Sequence, residues 1–450
     1  MSQDRRARQV QDVSSRLCCL TEAGLEPLAD AIGALADEPF GEMARALLGH
    51  GQSPPAQLPH ELALETQARA SGAGFRIWTP AGTLVRGLVE DWMRQVARTQ
   101  LGGQELQTPC LYHWGGEERL HDLAESFEDR LFVSRQDDHA HVLRYGADPG
   151  FFDYASSLRL RQEDLPVRMW EYGPAWRRSR SGELRGIERL NEFYLLDHHT
   201  ICCSSEAIAE YERLLTAQIR EIERVVGPVG VHFTATEATV DAYIPMMQRI
   251  ADRLDTPVIV EVISRASHYW SLKSFVFVGG PFTMCNLQLD DENPTRFGLL
   301  RGPGEASVIH CTLSTVERML LVLTHRAHEL ETPVLPLWLA PTQIRLIPPD
   351  PKTDVSKLVA QFRAHDIRIE IDDRRKSVGW RINSARQSWV PAVVLPVNDP
   401  HSDEVVLTWF DGRRVAGAAA EVAAEVAGLL AGYPRRALTH THTRDRYWVR

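Results

Sequence analysis

Between Leu165 and Cys203 the chain reads LPVRMWEYGPAWRRSRSGELRGIERLNEFYLLDHHTICC. Two apolar, strand-like runs flank a segment rich in Arg, Ser and Gly, and the second run ends in an Asp-His pair, Asp197-His198. A strand, a cationic loop and a returning strand can hold a polyphosphate against a sheet. Arg177 sits just after the first run, and its planar fork suits that task because it binds phosphate or carboxylate bidentately and stays charged.

The rest of the composition sets bounds. A length of 450 residues implies two or three domains. Hydrophobic content of 44% and charged content of 24% describe an ordinary globular protein. No apolar run has membrane-spanning length, and MSQDRRARQVQDVSSR lacks a signal-like apolar core, so a cytoplasmic location without membrane partners is expected. Seven cysteines include the adjacent pairs Cys18-Cys19 and Cys202-Cys203 but no CxxC, which reads as reduced thiols. A net charge of -10 argues against a general nucleic-acid coat. It leaves room for a local basic face, for which Arg374-Arg375-Lys376, Asp411-Gly412-Arg413-Arg414 and the tail from Arg435 are candidates.

Pattern and punctuation divide the chain into a helical N-terminal extension over 1–70, a large domain over 71–332 and a small one over 333–450. GHGQSPPAQLPHE at 49–61 reads as a linker, and GFRIWTPAGTLVRG from Gly74 as a short hairpin followed by a helix with Leu84, Leu88, Trp92 and Val96 on one face. Residues 204–226 form an amphipathic helix, capped by Ser204 or Ser205 and stopped by Gly227-Pro228. VHFTA, VIVEVI, SFVFVGG and NLQLDD read as strands of a mostly antiparallel sheet, and VIHCTLSTVERMLLVLTHRAHEL as one helix of four or more turns. After the proline joint at 333–341, strand and helix alternate, with an Ala-rich helix at 416–431, giving a small α/β domain. The expected class is therefore α+β, an antiparallel sheet flanked by helices and followed by that domain.

RMWEYGPAWRRSRSG resembles the second signature motif of class II aminoacyl-tRNA synthetases. The other two signatures occur in order, as the long helix leading to Pro109 and the helix with Glu317-Arg318. DLPVRMWEYG, SGELRG, QLD and LPLWLAPTQIRLIP parallel the threonyl enzymes in particular, over roughly residues 74–435. The resemblance implies a homodimer built through the first motif, and a chain without the N-terminal editing domains of bacterial threonyl enzymes. It also implies ATP with Mg²⁺, held by Arg177, Arg189, Gln288, Glu317 and Arg318, with Ser179 where the family has a glutamate. Arg177 and Arg318 would be the catalytic pair.

For the amino-acid pocket the resemblance implies Asp197, Tyr269, Lys273 and Met284, with Leu195 in place of a glutamine. The family zinc is held by one cysteine and two histidines. Asp148 stands at the cysteine position here, with His199 and His310 at the other two, an Asp/His/His set that zinc chemistry tolerates. A turn aspartate beside Pro149 and two satisfied core histidines are the plain alternative. For tRNA the resemblance points to His121 near the terminal ribose and to Arg374, Arg375, Lys376 and Asn383 at the anticodon, where Lys376 and Asn383 replace an acid and an arginine.

These departures mark a divergent paralogue whose amino acid need not be threonine, because a pocket built for one polar partner rejects analogues that lack it. The expected activity is formation of an aminoacyl-adenylate and its transfer to tRNA. Two other readings stand beside it: a ligase with a carrier-protein acceptor, and a non-catalytic sensor of amino acid or tRNA.

Overall fold

A computed structural model describes residues 15–21, 24–31, 44, 47, 58–114, 118–136, 139–180, 182–264, 269–278, 282–397, 402–438 and 440–443. The run 1–14, most of the linker at 49–61 and the tail 444–450 lie outside the described residues. The chain divides into two compact units. One comprises Met1–Pro54, Gln95–Arg178 and Glu192–Thr315; the other comprises Pro55–Arg94, Ser179–Asn191 and Val316–Arg450.

The first unit is built on a ten-stranded sheet. Its order is Gly24–Pro27, Ser15–Thr21, Val258–Ile263, Gly230–Thr236, Trp270–Val278, Phe282–Asp290, Ala306–Thr315, Glu192–Cys203, Val167–Trp176 and Gln104–Glu105. Neighbours are antiparallel except at two places: Gly230–Thr236 beside Val258–Ile263, and Gln104–Glu105 beside Val167–Trp176. The first parallel pair needs a crossover, which the helix Val240–Leu254 provides.

Successive residues of a strand point to opposite faces, so the sheet has two chemically distinct sides. Helix Ala207–Val226 covers one, burying Tyr211, Leu214, Leu215, Gln218, Ile219 and Ile222. Tyr211 donates to Ser274 Oγ at 2.7 Å and Gln218 Nε2 to the Thr312 carbonyl at 3.2 Å. Each fully buried aliphatic side chain here contributes roughly 1.5–3 kcal/mol. The opposite side carries Asp197, His199, His310, Thr312, Gln288 and Lys273 in register across four strands.

Helix Asp148–Ser157 packs against one end of that polar side. Its Phe151 and Phe152 join a core with Met169, Ile201, Phe297, Leu299 and Val308. A separate three-stranded sheet, ordered Leu111–Trp114, His139–Leu143 and Val133–Gln136, completes the unit.

The second unit contains a five-stranded sheet ordered Ile369–Ile371, Ile344–Leu346, Ala392–Pro396, Glu404–Trp409 and Arg414–Ala418. The first three strands are parallel and the last two antiparallel. Helices Ser356–Arg363, Val378–Gln387 and Ala419–Leu429 accompany them, as the strand-helix alternation predicts. Buried Arg345 donates twice to Glu370 Oε2, at 3.2 and 3.1 Å, and His440 meets the other Glu370 oxygen.

Three expectations need correction. The N-terminal extension is not purely helical: Ser15–Thr21 pairs with Gly24–Pro27 and with Val258–Ile263. Its LCCL core is an apolar run with buried Cys18, Cys19 and Leu20, suited to a sheet as much as to a helix. Arg76–Trp78 pairs with Glu65–Gln67, and Pro80 already opens a helix, so the hairpin does not extend forward from Gly74. Finally, Ala306–Thr315 is a strand, and only Val316–His328 is helical. The β-branched residues Val308, Ile309, Thr312 and Thr315 favour the pleated form.

Candidate active site

The polar side of the large sheet gathers the site residues of the first unit. Asp197 and His199 lie two apart on Glu192–Cys203; His310 is directly opposite His199, and Gln288 directly opposite His310. Lys273 is in turn opposite Gln288. Asp148 begins its helix, where the dipole favours a carboxylate.

The three candidate metal ligands converge. Asp148 Oδ1 accepts from His199 Nε2 at 3.0 Å and from His310 Nδ1 at 2.8 Å, and one ligand atom from each residue falls within 4.8 Å of the others. The second nitrogen of His310 donates to buried Asp290 at 2.9 Å, and Asp290 in turn accepts from the backbone and side chain of Asn293. Phe151 stacks on His199 with ring centroids 4.1 Å apart. Burial opposes charge on His310, but its bonds to Asp148 and Asp290 prevail and raise its pKa to about 10. Burial likewise opposes ionisation of Asp148, yet the two histidines hold its carboxyl well below the usual range.

Arg177 lies beside this cluster. Its Nε donates to the Tyr145 carbonyl at 2.8 Å, and its guanidinium lies 4.8 Å from the Phe127 ring and 5.3 Å from the Phe193 ring. Burial lowers its pKa, while the charges of Asp197 and Asp148 work to raise it. Gly146 leaves the space open: a Cβ there would stand 3.3 Å from Asp148 Oδ2 and 3.7 Å from Arg177 Nη2.

Asp197 accepts from Thr312 Oγ1 at 2.6 Å and from the Ala147 amide at 3.3 Å. Burial first, and the neighbouring Asp148 charge second, raise its pKa. Tyr269 donates to Gln288 Oε1 at 3.0 Å. Lys273 lies over Phe275 at 4.7 Å, with a pKa lowered by burial and by Arg177. Leu195 and Met284 are buried apolar residues.

Ser179, Arg189, Glu317 and Arg318 belong to the second unit. The Ser179 amide donates to Asn191 Oδ1 at 2.8 Å, and Arg189 pairs with Glu183 at 3.2 Å. Glu317 is buried and Arg318 half-buried on the helix Val316–His328.

The tRNA candidates lie apart from one another along the chain. His121 lies against Trp114 in the first unit, with ring centroids 4.0 Å apart and the planes tilted by 37°. In the second, Lys376 and Asn383 are exposed, and Arg374 is clamped by Asp372 and Ser384. Between them stands Trp380, 44% exposed, with Arg374 at 4.8 Å and Lys376 at 5.6 Å from its ring. Reasoning from sequence missed Trp380, although an indole in a basic helix start was a readable signal. It also missed Asp290, Phe127 and Phe193, whose roles depend on tertiary placement.

This fold and domain order define a class of protein. Residues 131–327 match the tRNA synthetase class II core domain (G, H, P, S and T), and residues 343–415 match an anticodon binding domain. The chain therefore carries a class II tRNA synthetase core domain followed by an anticodon-binding domain. Among curated relatives it is similar to threonine–tRNA ligases. It is 28% identical to the threonine–tRNA ligase of Methanosphaerula palustris over 72% of this chain and 55% of the relative. For that of Methanosphaera stadtmanae the figures are 28%, 83% and 63%. The chain thus spans 55 to 63% of the length of these relatives.

Solved structures agree on the fold. The RNA binding domain of threonyl-tRNA synthetase from Cryptosporidium parvum superposes with TM-score 0.73 at 18% identity, covering 84% of this chain and 98% of that one. A prolyl-tRNA synthetase from the same organism gives TM-score 0.64 at 15% identity, covering 83% and 76%. Among the described residues no helix is long and apolar enough to cross a membrane.

Proposed function

We propose that the chain is an ATP-dependent ligase that activates an amino acid, threonine or a related non-standard one, and transfers it to tRNA. The observation that carries this reading is the enclosure of Arg177 between two aromatic rings beside the Asp148–His199–His310 cluster. A cation fixed next to a ligand set suits a reaction in which an anionic carboxylate meets an anionic phosphate.

In this reading ATP enters with Mg²⁺, and the amino-acid carboxylate attacks the α-phosphorus. The new acyl–phosphate bond forms as pyrophosphate leaves. Arg177 neutralises charge on both reactants and orients them, and its packing between Phe127 and Phe193 reduces reorganisation during reaction. Arg189 and Arg318 serve the remaining phosphates and the adenine. Gln288 meets ATP, Tyr269 shapes the amino-acid pocket, and Asp197 meets the substrate's polar end.

The family zinc fits the residues present. Asp148, His199 and His310 would hold it, with Asp290 orienting His310 from behind as an outer-shell carboxylate does. Bound there, the ion would act as a Lewis acid that anchors substrate amino and hydroxyl or amine groups. A carboxylate in place of a thiolate makes the site harder, and apolar Leu195 removes a hydrogen-bonding group. Both changes support a substrate that differs from threonine.

The acceptor is proposed to be tRNA, read by the domain around Lys376, Trp380 and Asn383, and the working form a homodimer. A sensor without chemistry is the second reading, favoured by the pairing of Arg189 with Glu183. The full chain, ATP, labelled amino acids and total tRNA should yield acid-precipitable label that ribonuclease releases. ATP consumption without label on RNA would contradict the tRNA acceptor, and no consumption with any amino acid would favour the sensor.

A further inference from the structure

Apart from the candidate active site, the three-stranded sheet of the first unit carries three histidines side by side. His113 lies on Leu111–Trp114 and is paired directly with His141 on His139–Leu143, while His139 is two residues before His141. The period of two puts all three on one side of the sheet. The other side bears Val142 and Trp114, which pack with Ala124, Leu131, Phe127 and Tyr145. The histidine side therefore faces outward, with His113 and His139 exposed and His141 half-buried.

The His113 ring centroid lies 5.5 Å from that of His139 and 5.7 Å from that of His141. Zinc–nitrogen bonds of roughly 2 Å at a tetrahedral angle would put imidazole centroids roughly 5 Å apart. The strands thus place His113 near that spacing from each of the other two, and rotation of the exposed rings is what would gather the three nitrogens to a common point. Among the described residues none of the three imidazoles has a hydrogen-bond or ion-pair partner that such a rotation would break.

We propose that His113, His139 and His141 form a divalent transition-metal site that bridges the two strands. Three neutral imidazoles favour zinc, nickel or copper over magnesium or calcium, which prefer oxygen. The site is outward-facing, so a water completes the coordination. The proposal does not depend on the ligase reading, because it involves different residues and no substrate.

The test is titration of the chelator-treated full chain with Zn²⁺ alone, followed by calorimetry and metal counting. The comparison protein is His113→Ala/His139→Ala/His141→Ala, with His139→Ala as a single variant. Wild type should bind one more zinc per chain than the triple variant, and His139→Ala should weaken that equivalent at least tenfold. Any zinc held by the Asp148 set contributes equally to both proteins, so the difference isolates the histidines. Equal zinc counts in folded wild type and triple variant would overturn the proposal, as would unchanged affinity in His139→Ala.

Discussion

His310 is held from both sides by carboxylates: its Nδ1 donates to Asp148 Oδ1 at 2.8 Å and its Nε2 to Asp290 Oδ2 at 2.9 Å. Asp290 is fully buried and Asp148 is partly open. The two acids therefore have different tasks. Asp290 orients the ring, whereas Asp148 shares its Oδ1 between His310 and His199 and, being partly open, can face a ligand. Asp148→Ala should abolish zinc retention at this cluster, and Asp290→Asn should weaken it by about 10- to 100-fold. Asp148→Cys should restore it. Metal analysis of the purified variants checks all three.

Arg177 gives the second prediction. Arg177→Gln should lower kcat for adenylate formation by about 10²–10³, the usual loss for one preorganised charge-stabilising donor. Arg177→Lys should recover little of this, because an ammonium cannot make the two-pronged contact. The measurement is single-turnover adenylate formation, with circular dichroism confirming that both variants fold.

Trp380 offers a flat apolar face flanked by two cations. Base stacking on an aromatic side chain contributes about 1–3 kcal/mol. Trp380→Ala should therefore raise the KM for tRNA about tenfold, while Trp380→Phe retains most binding. Adenylate formation should be unchanged in both, and filter binding with acylation kinetics separates the two effects.

Buried histidines set an acid limit on stability. Burial lowers the pKa of His198 to about 3, although its Nε2 donates to the Gly102 carbonyl at 2.9 Å. Burial and Lys273 lower His232 to about 4. Both stay neutral in the folded chain when the unfolded chain begins to take up protons at about 6.5. The stability that they support is present above that pH and is lost as pH falls towards 4 and then 3. Between pH 6.5 and 5 the loss should be on the order of 2 kcal/mol per group. Urea unfolding at the two pH values checks this, and His198→Gln should remove about half of the difference.

The architecture was legible where pattern and punctuation agree. The strand pair around Arg177, the amphipathic helix ending at Gly227 and the alternation after Pro341 appear as expected, although that helix starts after a short 3-10 turn at Ser204–Glu206 and not from a serine side-chain cap. The reading failed at VIHCTLSTVERML, where an apolar run crosses from strand to helix without a Gly or Pro between Thr315 and Val316. That error mattered, because only a strand puts His310 directly opposite His199. The Asp148, His199 and His310 cluster was legible as three separate residues, but Asp290, the carboxylate behind His310, was not. Nothing local distinguishes a carboxylate that supports a histidine from one that ends a strand. The same holds for Phe127 and Phe193, whose rings reach Arg177 from distant parts of the chain.

The most direct test is ATP–pyrophosphate exchange by the zinc-loaded full chain across a panel of amino acids, including threonine and its amine-bearing analogues. Exchange is expected with at least one of them, and it should be stronger with a relative of threonine than with threonine itself. Exchange with threonine alone would contradict the altered pocket. Absence of exchange with every amino acid, in protein shown to be folded, would contradict the ligase.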